Sequence, residues 1–146
     1  MKTNPKMIGY WVTTGLFAAA FLAVGAAELA GAPEAVTATV ALGYPAYVLT
    51  ILGLWKLLSV PALLAPRLPR LKEWAYAGIF FDLTGAAASH AISGDSPGRS
   101  ATPLVLLLFA AASWALRPPS RTWSADAIVP KSAQPVASPE RVAAHA

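Results

Sequence analysis

Four apolar runs separated by short polar breaks dominate the chain, at residues 7–29, 45–65, 73–93 and 101–116. A bilayer's hydrocarbon core is about 30 Å thick, and a helix rising 1.5 Å per residue crosses it in about 20 residues. The first three runs meet that length. The fourth, at about 24 Å, needs flanking residues or local thinning. Short connections make consecutive helices antiparallel. The pattern therefore predicts an all-α fold, an integral membrane up-down-up-down four-helix bundle over residues 1–117, followed by a tail at 118–146.

The third run departs most from a plain span. EWAYAGIFFDLTGAAASHAISGD, from Glu73 to Asp95, places Asp82 near its middle and His90 near one end. At helical spacing Gly78, Gly85, Ala86, Ser89 and Ser93 share the face of Asp82, while Phe80 and Phe81 point elsewhere. One face thus suits close helix contact and another suits lipid. An ionisable residue at that depth marks a functional site by default.

The second run is interrupted by Lys56, flanked by Trp55, which lies too deep for an interfacial belt and is expected to pack inside the protein or against lipid. Entering at Pro45, this run carries Lys56 about 16 Å down its helix, and Asp82 lies about as far below Ser93. The two residues are expected to meet. Glu28 and His90 lie only about 3–5 Å from the outer ends of their helices and are expected to form a second polar layer. In the loop of residues 31–44, Pro33 suits the first turn of a short surface helix.

Lys2 and Lys6 ahead of the first run, with Ala30-Gly31-Ala32 after it, also resemble a signal peptide. Its apolar stretch exceeds the usual 7–15 residues and ends in Glu28, which favours a retained span. Beyond Arg117 the tail is rich in Pro, Ser and Ala without sustained period, so it is expected to be disordered and dispensable for packing.

Charge placement sets the orientation. Lys2, Lys6, Arg67, Arg70, Lys72, Arg117 and Arg121 flank one side of the runs, against Arg99 on the other. Basic loops stay in the cytoplasm, which places both termini there. Only 12% of residues are charged and 56% are hydrophobic, about half the charge of a soluble domain. The net charge of +4 is spread between apolar runs rather than along a stripe, which argues against a nucleic-acid partner. The absence of cysteine excludes disulfides, CxxC redox chemistry and thiolate-held iron–sulfur clusters.

LGYPAYVLTILGLWKLL, from Leu42 to Leu58, and APRLPRLKEWAYAGIFFDLTGAAASH, from Ala65 to His90, resemble the DoxX-like group of small four-helix bacterial membrane proteins. The joint occurrence of Gly43-Tyr44-Pro45, Trp55-Lys56, Pro69-Arg70, Glu73-Trp74-Ala75-Tyr76 and Asp82 carries the resemblance. It implies a bacterial inner-membrane location. It also points to a thiosulfate:quinone oxidoreductase, whose small membrane subunit gives the group its name, although most members have no established reaction.

The candidate pocket comprises Glu28, Trp55, Lys56, Asp82, Ser89 and His90. Lys56 and Asp82 could be a structural ion pair fixing helix register, or a site for binding or proton transfer. Glu28 and His90 could be an interfacial pair reaching water, or a titrating pair that handles protons. A metal site from Glu28, Asp82 and His90 lacks ligand spacing within any one helix. Haem has one histidine in the spans and His145 in the tail. No phosphate loop, Ser/His/Asp set or dinucleotide fingerprint is present. Three classes remain: a membrane subunit assisting an oxidoreductase with quinone or another lipophilic substrate, a small transporter or proton relay, and a scaffold. None requires a resident cofactor, and the lipid bilayer is the one partner common to all.

Overall fold

The computed structural model describes residues 4–122, apart from the side chain of Ser120. Five α-helices and no strand occur among them: α1 Pro5–Leu29, α2 Pro33–Ala41, α3 Tyr47–Leu64, α4 Pro69–Ile92 and α5 Pro97–Ala115. All but α3 begin on a proline, whose fixed φ suits a first turn and whose missing N–H costs nothing there. Asn4 caps α1 by accepting from the Lys6 N–H at 3.1 Å. Gly31 and Gly94 close α1 and α4 in the left-handed conformation that glycine adopts without steric cost.

The four long helices touch in a ring, with α1 against α3 and α5, and α4 against α5 and α3. Contacts fix their directions. Tyr10 near the start of α1 reaches Arg121 beyond α5, which also bonds Leu64 at the end of α3. Arg117 bonds Glu73 near the start of α4 at 2.7 Å. Neighbours in the ring therefore run antiparallel, and both ends of the described chain lie together.

Phe17, Ala18, Phe21, Val60, Leu63, Tyr76, Ile79, Leu83 and Ala110 form the buried core. Thr14, Ser113 and Tyr76 add a dry hydroxyl layer, with oxygens 2.6 and 2.7 Å apart. Outside the core the surface is unusually apolar: Phe81, Leu108, Ile92 and Tyr47 are all exposed. A surface of this kind suits lipid rather than water. By length and composition α1 and α3 can each cross a membrane. The sequence anticipated two more spans. Asp82, Ser89 and His90 interrupt α4, and the polar opening PGRSATP dilutes α5, so neither reaches that measure.

The small face expected to pack closely does not do so. A Cβ added at Gly78 or Gly85 would meet nothing within 4 Å. The buried stripe of α4 instead runs Lys72, Tyr76, Ile79, Leu83, Ala87, which leaves Asp82 at its edge. Close approach occurs between α1 and α3. A Cβ on Gly53 would come 2.7 Å from the Gly25 carbonyl oxygen, so only glycine fits.

The packed region also reaches further along the chain than expected. Pro119–Arg121 form a 3-10 turn, and Arg121 donates to the Leu64 carbonyl at 3.3 Å and to the Tyr10 hydroxyl at 3.4 Å. Lys72 donates to the Leu63 and Ala62 carbonyls. Together these two cations cap the orphan carbonyls at the end of α3, where positive charge is favoured. The remainder of the expected tail, residues 123–146, lies outside the described residues.

Candidate functional site

Three charged side chains from three helices converge at mid-depth. Lys56 of α3 donates to both Glu28 oxygens, at 2.9 and 3.0 Å, and reaches the Asp82 carboxylate at 3.2 and 3.3 Å. Their side chains are only 8, 13 and 19% exposed for Lys56, Glu28 and Asp82 respectively. An ammonium has three N–H donors, and here all are directed at carboxylate oxygens. The Phe21 ring lies 5.8 Å from the ammonium and offers its negative face. Formally, two carboxylates share one cation. Burial of such a set is tolerable only because each charge is partnered.

Glu28 arrives by way of the glycine contact. With Gly25 seated on Gly53, the last turn of α1 lies beside the middle of α3, one turn from Lys56. The expected pairing of Glu28 with His90 is therefore corrected. Equal distance from helix ends does not mean equal depth, because α1 stops short and α2 packs on both α1 and α3 beyond it. His90 instead bonds Asp95 through Nδ1 at 2.6 Å, with Arg99 3.9 Å from the same carboxylate. Ser89 shares a 2.9 Å hydrogen bond with the Tyr44 hydroxyl and donates to the Gly85 carbonyl. These two residues form a separate polar cluster at the opposite end from Arg117 and Glu73. Neither lines the groove described next.

Beside the triad a groove of about 860 Å³ runs between α3 and α4. Phe21, Leu52, Leu58, Leu71 and Ile79 make its walls greasy, and Lys56 and Asp82 close one end. Small side chains keep it open: Ser59, Ala62 and Ala65 on or just beyond α3 face Ala75 and Gly78 on α4. Trp55 and Trp74 stand at its mouth, 65 and 79% exposed. Trp55 is thus not packed inside the protein, which leaves the other expected place, on the outer surface, and there it stands at the groove's rim. The mouth lies on the outer surface of the helix ring, marked by these two exposed indoles. The groove and the role of Gly78 were not anticipated, since an isolated glycine in an apolar run does not reveal whether a neighbour approaches.

Among the described residues no three His, Asp or Glu side chains converge to hold a metal ion. Glu28 and Asp82 do share a site, but His90 is turned away to Asp95. His145 lies outside the described residues.

A family model described as "DoxX-like family" matches residues 12–113, which include all the groove residues and the whole triad. No curated protein and no solved structure matches the chain.

Proposed function

The chain belongs to the DoxX-like family, and on that footing we propose that it is a multi-pass membrane protein whose α3–α4 groove holds a lipophilic ligand against Lys56 and Asp82. The single observation that carries this reading is an apolar groove opening sideways and ending on a buried charge cluster. Sites of this volume that are mostly apolar, with a few convergent polar groups, are the usual form of a small-molecule pocket. A quinone, with an apolar tail and a polar ring, fits that division. Its redox partner would be a separate membrane oxidoreductase.

In this reading all four long helices span the bilayer, a bacterial cytoplasmic membrane. The exposed apolar surfaces of α4 and α5 support it. Lys6, Arg67, Arg70, Lys72, Arg117 and Arg121 gather at one end and Arg99 at the other, which supports cytoplasmic termini. A second reading, proton handling, draws on the same triad, where two carboxylates compete for one ammonium in a poorly solvated place.

The test is binding of a decyl-tailed quinone, presented in both its oxidised and its reduced form, to the full chain in lipid nanodiscs, with empty nanodiscs as reference. Saturable binding of at least one form is expected, and Gly78→Phe should abolish it, since a Cβ there meets nothing within 4 Å and the ring it carries would occupy the groove that Gly78 lines. Binding unchanged by Gly78→Phe, or mere partition into lipid, would contradict the proposal.

A further inference from the structure

The polar end of the groove is one-sided in hydrogen-bonding terms. Lys56, the natural donor there, has its three N–H groups turned to Glu28 and Asp82. The Ser59 hydroxyl donates its one proton to the Lys56 carbonyl at 2.7 Å, which leaves it only lone pairs. Asp82 lines the groove, accepts from Lys56 alone among the described residues, and retains unused acceptor capacity. The remaining N–H donors among the lining side chains are the indoles of Trp55 and Trp74, both on exposed rim residues. The floor thus accepts and does not give.

We infer that the groove selects lipophilic molecules whose headgroup donates a hydrogen bond to Asp82, a phenol or hydroquinone rather than a carbonyl-only quinone. The inference rests on the groove being a ligand site, as proposed above, and names the form of ligand that site prefers. A carbonyl oxygen brought to this floor would face carboxylate and hydroxyl lone pairs, and two acceptors in contact repel. A phenolic O–H would meet a carboxylate, the stronger class of hydrogen bond. The surplus of carboxylate over ammonium at this end of the groove adds to the preference. For a quinone couple, the reduced form is the one retained.

Two probes with the same nonyl tail, neither of them a quinone, separate the alternatives: 4-nonylphenol donates a hydrogen bond and 4-nonylanisole, its methyl ether, does not. Isothermal titration calorimetry on the full chain in nanodiscs, with empty nanodiscs subtracted, gives both affinities. The phenol is expected to bind about tenfold more tightly, the scale of one hydrogen bond to a charged acceptor. Asp82→Asn keeps the shape and leaves the neutral Lys56–Glu28 pair intact, and it should reduce the preference to within about twofold. Equal binding of phenol and ether by the unaltered protein overturns this inference and leaves the groove standing as a site. A preference that survives Asp82→Asn also overturns it, since the phenol then has another partner. If neither probe binds above empty nanodiscs, the pocket reading fails and this inference with it.

Discussion

Glu28 and Lys56 lie 2.9 Å apart although one is the penultimate residue of its helix and the other sits in the middle of its own. The Gly25–Gly53 contact makes this possible, and its consequences reach from stability to the proposed ligand site.

The triad predicts an unequal response to neutralisation. Lys56→Met strands two carboxylates, and breaking a buried pair in this way costs about 3–5 kcal/mol. Glu28→Gln and Asp82→Asn each leave one neutral pair and should cost about 1–2 kcal/mol, on the scale of a hydrogen bond to a charged group. Denaturant unfolding in detergent orders the three. Adding Asp82→Asn to Lys56→Met should recover part of the loss, and strictly additive losses would show that the two side chains are not coupled.

Glycines in the same fold should behave in opposite ways. Gly53→Ala drives a methyl group onto the Gly25 carbonyl oxygen and should destabilise by about 1–3 kcal/mol. Gly78→Ala enters open space in a helix interior and should be neutral or stabilising by up to about 1 kcal/mol. Paired thermal melts decide the point. Equal effects would remove the α1–α3 contact as the cause of Glu28's position.

These two tests mark where the sequence was legible. The start of α2 at Pro33 and the meeting of Lys56 with Asp82 followed from residue type, depth and a short α3–α4 connection, whereas Pro69 and Pro97, expected in the connections, open α4 and α5. The place of Glu28 did not, because depth was counted from helix ends and α2 makes the outer ends uneven. The small face around Gly78 signalled a capacity for close contact; whether a neighbour approaches depends on tertiary packing, and none did. The hydroxyl layer was hidden for a similar reason: Thr14 and Ser113 are single hydroxyls in apolar runs, and only the α1–α5 contact pairs them.

Arg121 was expected to belong to a dispensable tail, and its contacts predict otherwise. Besides its two hydrogen bonds, its guanidinium lies 4.7 Å from the Trp11 ring centroid. Arg121→Ala should lower stability by about 0.5–2 kcal/mol through loss of capping and stacking. Arg121→Lys should recover only part, since an ammonium lacks the planar fork. A melting temperature unchanged by Arg121→Ala would mean that the 3-10 turn contributes nothing to the bundle.

The basic end predicts orientation. A fluorescent reporter active only in the cytoplasm should light up when fused to either terminus in a bacterial host, and an export-dependent reporter should be silent at both. Opposite signals at the two ends would require an odd number of spans and overturn the four-span arrangement.

Photoaffinity labelling tests the central claim, that the α3–α4 groove receives a lipophilic ligand, most directly. A decyl-tailed phenol bearing a diazirine is irradiated with the full chain in nanodiscs, and the labelled peptides are mapped by mass spectrometry. Labels are predicted on groove residues such as Trp55, Leu58, Trp74 and Ile79, removed by excess unlabelled phenol and by Gly78→Phe. Labels spread evenly over the lipid-facing residues of α1, α4 and α5, without competition, would contradict the account.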